Sequence, residues 1–314
     1  MRELENPFVV YGYVSPTYFC DREQETHDLI TALSNGRNIT LMSPRRMGKT
    51  GLICNVFHQL QQHEDVACFY IDIFSTKSLT SFVKVFASAI VGKLDTPMQR
   101  AEGFIQRFFQ GIRLSFSTDM LTGNPQVNLD FQPEQTESTL EQVFAYLVQS
   151  NRECYIAIDE FQQIGEFTDT ISFQKELRTI WQHQANVTYC LFGSKKHMME
   201  NLFDTPEKAF FKFGDIIYLK TIPLNYWTDY ISKRFVAAGK KITPAQIERI
   251  CETVQYHSSY VQQLCWYVYL SSGEIVSDTD LDNGIEELIC QNTSLFESWT
   301  ENLVANQMRL LTAI

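Results

Sequence analysis

The sequence predicts an α/β fold followed by a small all-helical domain. Short, nearly continuous apolar runs recur along the first two thirds of the chain, helix-period sequence separates most of them, and no strand signal survives after Pro223. Apolar strands that alternate with helices indicate a parallel sheet covered on both faces.

From Asp21, DREQETHDLITALSNG reads as a helix: Asp21 caps its start, Leu29, Ile30 and Leu33 share a face, and Gly36 supplies a left-handed stop. Asn38 to Met42 is a short β-favouring run that leads into SPRRMGKT and then a helix carrying Leu52, Ile53, Val56, Phe57 and Leu60. Further strands are predicted at Ala67 to Phe74, Cys154 to Glu160, Val187 to Gly193 and Asp215 to Leu219. Between Ile112 and Phe131 apolar and polar residues alternate around a turn-rich MLTGNP, the pattern of an inserted β-hairpin. Four helical patterns come after Pro223, near Tyr226 to Ala238, Pro244 to Tyr256, Tyr260 to Leu270 and Asp280 to Cys290.

With 314 residues, 44% of them hydrophobic, the chain can bury a substantial core and is long enough for a large domain plus a smaller one. No apolar run approaches the roughly 20 residues that span a bilayer. MRELENPFVV lacks the basic-then-apolar order of a secretory signal, so a soluble, cytoplasmic protein with no membrane partner is expected. The eight cysteines are scattered without a C-x-x-C pair and read as buried free thiols. A net charge of −11 disfavours non-specific adhesion to polyanions, whereas Arg45, Arg46 and Lys49 make a local basic patch to which a phosphate is the natural counter-charge.

That patch lies in a strand, loop and helix arranged to aim main-chain N–H groups and a positive helix end at one point, as a phosphate chain requires. Ser43, Pro44, Arg45, Arg46, Met47, Gly48, Lys49, Thr50 and Gly51 are the candidate nucleotide-binding loop. Lys49 would reach the β- and γ-phosphates, and the Thr50 hydroxyl would take one Mg²⁺ position. Ser43 stands where such loops carry their first glycine, which is tolerable because the phosphate contacts come mainly from N–H groups around Met47, Gly48 and Lys49.

CYIAIDE supplies a second motif, an apolar strand ending in Asp159 and Glu160. One carboxylate, Asp159, would orient Mg²⁺ and the other, Glu160, would polarise an attacking water. The next strand ends at Gly193 and Ser194, and Ser194 reads as a γ-phosphate sensor, as the cap of the succeeding helix, or as both.

Phe19 to Glu25 resembles the motif F-x-G-R-x-x-E, SPRRMGKT the loop P-R-R-x-G-K-T, and IAIDEF with LFGS the second carboxylate strand and sensor strand of the archaeal-type P-loop ATPases. These belong to the STAND class and are related to AAA-type machines. The resemblance implies a five-stranded parallel core in order 5-1-4-3-2 and a helical lid, with ATP or ADP and Mg²⁺ between them. It implies a core over residues 1–221, a lid over 222–292, and at 293–314 the start of a winged helix-turn-helix. It also puts Phe19, Asp21 and Arg22 near the base, although Arg22 by itself reads as an exposed helix-start residue.

The sequence departs from the family pattern at several places. Asp21 replaces a glycine, and the segment DTPEKAFFKFGDIIYL has Lys208 and Lys212 but no arginine to complete a neighbour's site. A self-associating copy or another protein would then supply that finger, and turnover without it is slow. The lid motif G-x-P-Y-x-Q-x-L appears as HSSYVQQL, so Tyr260 either contacts adenine or packs inward behind a cap at Ser258 or Ser259. The resulting expectation is an ATP-dependent switch. Its alternatives are a nucleotide-binding module that does not turn over, a DNA-associated ATPase acting through a C-terminal module not contained in these residues, and, more remotely, a metabolic kinase.

Overall fold

The structure is a computed structural model that describes residues 5–91, 93, 94, 109, 111–118, 125–167, 170–301 and 303–311. Its contacts divide the chain into two compact units, one spanning Arg22–Lys220 and the other joining the segment that ends at Asp21 to the chain from Thr221 onward.

In the first unit, β1 (Ile39–Met42), β2 (Val66–Asp72), β5 (Glu153–Asp159), β6 (Val187–Gly193) and β7 (Asp215–Tyr218) form one sheet in the order β2-β5-β6-β1-β7. Every pairing in it is parallel. With the hairpin strands set aside, this is the order 5-1-4-3-2. The pattern of burial explains the sequence signal: β1 and β6 are buried along their whole length, whereas the edge strand β7 is not buried at any residue. Helices α1 (Glu23–Ser34), α2 (Lys49–Leu60), α3 (Leu79–Ile90), α4 (Thr136–Gln149), α5 (Thr170–His183) and α6 (Lys196–Phe203) belong to the same unit. The inserted hairpin is present as β3 (Arg113–Thr118) paired antiparallel with β4 (Pro125–Asp130), and most of its MLTGNP turn lies outside the described residues.

The start of α1 differs from the sequence reading. Arg22, not Asp21, is the cap residue, its own side chain makes no capping hydrogen bond, and Asp21 and Arg22 both take left-handed φ values of 52° and 69°. Two consecutive left-handed residues turn the chain too sharply for Asp21 to cap the helix, and aspartate is one of the few residues that enters this region at modest cost. Gly36, at φ 68°, ends the helix as expected. Arg22 is also not exposed. It is buried, ion-paired to Glu25 at 2.7 Å, and its Nη2 donates to the Met47 carbonyl at 3.5 Å.

The second unit contains α7 (Leu224–Ala237), α8 (Pro244–Thr253), α9 (Ser258–Ser271), α10 (Asp278–Gln291), α11 (Thr293–Thr300) and α12 (Ala305–Leu311). Capping boxes at Thr243 and Ser277 start α8 and α10. The N-terminal segment, assigned to the core by sequence, packs here instead: Phe8 and Cys20 are buried in one cluster with Trp227, Phe235, Leu264 and Val268. Arg234 explains part of that attachment, because its guanidinium lies 4.8 Å from the Tyr18 ring and 4.7 Å from the Tyr230 ring and donates to the Thr17 carbonyl.

Candidate functional site

The carboxyl ends of β1, β5 and β6 are neighbours in the sheet, which brings the phosphate loop, Asp159-Glu160 and Gly193-Ser194 to one edge of the core unit. In an open parallel sheet this is the edge where ligands bind.

Main-chain conformation shapes the loop between β1 and α2. Arg46 and Gly48 take left-handed φ values of 59° and 93°, while Ser43 has no positive φ. Glycine is therefore not required by conformation at 43, and the serine side chain is tucked in, its hydroxyl donating to the Pro44 carbonyl at 3.0 Å. Gly48 is different. It caps α2 in a conformation that L side chains rarely adopt, and a Cβ there would meet nothing within 4 Å. Open space thus lies above the helix start, whose first N–H groups have no intrahelical partner.

Lys49, only 7% exposed, donates to the Ser43 carbonyl and hydroxyl at 3.2 Å each and to the Pro44 carbonyl at 3.0 Å. Burial holds its ammonium below the ordinary lysine pKa, with Asp159 and Glu160 opposing that effect and Arg45 adding to it. Thr50 Oγ1 donates to Asp159 Oδ2 at 3.2 Å, and the Tyr70 hydroxyl donates to the same oxygen at 2.6 Å. The Glu160 N–H donates to Asp159 Oδ1 at 2.8 Å. Burial raises the Asp159 pKa, against the two hydrogen bonds from Tyr70 and Glu160 that favour its charged form.

These oxygens fit a magnesium site. A hydroxyl and a carboxylate are hard donors, and Mg²⁺ usually takes few protein ligands, the remainder being phosphate and water. Among the described residues no cluster of three or more His, Cys, Asp or Glu side chains could hold a metal by itself.

Glu160 sits at φ 55° at the start of the 3₁₀ turn Phe161–Glu166. Phe161 fixes it there, because that ring is fully buried 5.1 Å from Phe210, 5.6 Å from Phe203 and 6.1 Å from Trp181. Two donors converge on Glu160 Oε2, the Ser194 hydroxyl at 3.0 Å and the Gln162 amide. Arg45 Nε in turn donates to Ser194 Oγ at 3.3 Å, which links the loop to the carboxylate. The cap reading of Ser194 does not hold: α6 starts after Lys195 and no side chain caps it, because the hydroxyl is directed to Glu160.

The core unit thus brings together the loop from Ser43 to Gly51, Asp159, Glu160 and Ser194. Phe19, Asp21 and Tyr260 belong to the other unit. Tyr260 is half-buried against the helical core, 4.7 Å from the His257 ring, and neither Ser258 nor Ser259 caps α9, whose cap residue is His257. Sequence reasoning missed Tyr70 and Gln162. The signal for Tyr70 was faint, a tyrosine two residues before Asp72 in the predicted neighbouring strand, and nothing local marked Gln162.

A phosphate loop and a strand-end carboxylate pair on a parallel sheet of this order define a P-loop ATPase. The chain belongs to the family described as an ATPase domain predominantly from Archaea, which matches residues 19–208. Its fold is similar to that of the Walker-type ATPase PABY2304 of Pyrococcus abyssi, with a TM-score of 0.67 at 15% identity over 96% of this chain and 81% of that one. The ORC1 protein of Aeropyrum pernix, solved in complex with DNA, superposes with a TM-score of 0.59 at 12% identity over 95% of this chain and 72% of that one. Cdc6p of Pyrobaculum aerophilum gives a TM-score of 0.57 at 11% identity over 89% and 70%. No curated protein sequence matches the chain.

Proposed function

We propose that the protein is a Mg²⁺-dependent ATPase of the STAND class, slow by itself, whose nucleotide state acts as a switch. The observation that carries this reading is the hydrogen-bonded network from Thr50 through Asp159 to Glu160, Ser194 and Arg45, beside a buried Lys49 held on the Ser43 and Pro44 carbonyls of the same loop. Main-chain N–H groups around Gly48 hold the phosphates, and Lys49 exchanges its carbonyl partners for phosphate oxygens. Thr50 and Asp159 would hold Mg²⁺, which when bound would supply positive charge to offset that of the phosphates. Glu160 accepts a proton from the attacking water as the terminal P–O bond breaks, and Ser194 and Arg45 lie toward the γ-phosphate. The helical unit serves as the lid, with Phe19, Asp21, Arg22 and Tyr260 flanking the base, and residues 293–314 begin a winged helix. No arginine occurs between Asp204 and Leu219, so a second copy or a partner protein completes the site in the fast state. A cytoplasmic location belongs to the same reading, and no described helix is long and apolar enough to cross a membrane.

Phosphate release by the purified protein, with and without Mg²⁺ and over a range of protein concentrations, tests the proposal. Mg²⁺-dependent release that rises more than linearly with protein concentration is expected; ATP binding without release would leave only a binding module.

A second reading, a DNA-associated ATPase, draws on the fold shared with ORC1 of A. pernix, which was solved with DNA. The net charge of −11 counts against it. Retardation of duplex DNA by a longer gene product, but not by residues 1–314, would support it.

A further inference from the structure

We propose that Gln162 is the positioning residue for Glu160 and that Gly193 is glycine in order to make room for it. The inference rests on the hydrolytic reading above and deepens it.

Three observations meet at this side chain. Gln162 is 1% exposed, yet its Oε1 has no hydrogen-bond partner among the described residues. A buried amide with an orphaned oxygen is costly, and its retention calls for a use. The use lies at the other end of the amide, where Nε2 donates to Glu160 Oε2. The orientation is dictated chemically, since the reversed amide would set an oxygen against a carboxylate. Third, a Cβ at Gly193 would lie 1.9 Å from Gln162 Oε1 and 3.1 Å from Gln162 Cδ. Gly193 has no positive φ, so conformation does not demand glycine there; space does.

Gln162 and Ser194 both donate to Oε2, which pins one carboxylate oxygen and turns the other to the role of proton acceptor. Gln162 approaches from the 3₁₀ turn and Ser194 from the end of β6, so the carboxylate is held from two elements. Pinning matters because a general base displaced by about 1 Å can lose on the order of 10²-fold in rate.

The test compares Gln162→Ala, Gly193→Ala and the double variant in steady-state phosphate release and in titration with a fluorescent ATP analogue. Gln162→Ala should lower kcat by roughly 10- to 100-fold with nucleotide affinity and KM unchanged. Gly193→Ala should produce the same loss by displacing the amide, and the double variant should be no slower than either. In a Glu160→Gln background Gln162→Ala should cost nothing further. A readout independent of turnover is the side-chain amide resonance of Gln162, which should shift when Glu160→Gln removes the charged acceptor. A wild-type protein that turns over while Gln162→Ala stays within about twofold of it overturns the positioning role alone. So does an amide resonance indifferent to Glu160→Gln. Absence of wild-type turnover overturns the hydrolytic reading and this role together.

Discussion

The phosphate loop and the carboxylate cluster face one another across the same sheet edge but are built by different means. The loop owes its shape to backbone conformation at Arg46 and Gly48, so a serine replaces the usual first glycine without strain. Side chains reaching from three elements hold the cluster: Tyr70 on β2, Gln162 on the 3₁₀ turn and Ser194 after β6. A site made of main chain tolerates substitution wherever φ stays ordinary, whereas one made of side chains depends on each contact.

The largest effect should fall on the cluster. Glu160→Gln should retain ATP and lose hydrolysis by on the order of 10²- to 10⁴-fold, read as phosphate release against nucleotide binding. Next comes Lys49, the buried cation of the loop: Lys49→Ala should weaken ATP binding by about 100-fold, measured by calorimetry. A Lys49→Ala protein with wild-type affinity would break the account of the loop.

Ser194→Ala should lower kcat by about 10-fold with little change in affinity, as expected for one lost hydrogen bond to a charged group. The comparison is sharpened most by the smallest change. Ser43→Gly should alter ATP affinity by less than about 3-fold, because no positive φ awaits the glycine; a large gain or loss would mean that the serine side chain matters to the ligand.

Lys49 also gives a pH signature in the nucleotide-free protein. Burial lowers its pKa below the ordinary 10.5, so between the folded and unfolded values the native state binds fewer protons than the unfolded chain. Stability therefore rises with pH through that window and levels off above the unfolded value. Lys49→Met should lose this rise, a difference that urea denaturation of the two proteins from neutral to alkaline pH would reveal.

Much of this was legible in the sequence because it is local. The strands β1 and β6 announce themselves as apolar runs since both of their faces are covered. Gly48-Lys49-Thr50 and Asp159-Glu160 are recognisable because each motif places its reactive groups within a few residues of a strand end. The misreadings share the opposite origin. Asp21 as cap and Arg22 as exposed were natural for a helix start, but a left-handed pair of residues, where the chain passes from one unit into the other, sets the backbone path and buries the arginine. The segment before Asp21 shows no sign of its allegiance, since Phe8 and Cys20 find their partners more than 200 residues later in the chain.

By itself the sequence determined the alternation of strands and helices, the order of the motifs and the residues proposed to grip a polyphosphate, because periodicity, turn chemistry and charge act over short stretches. Only the tertiary structure decided which side chains stand around Glu160 and why Gly193 is a glycine. Those contacts arise from strands adjacent in the sheet but distant along the chain, and from the close packing that leaves an amide, but no extra methyl group, beside β6.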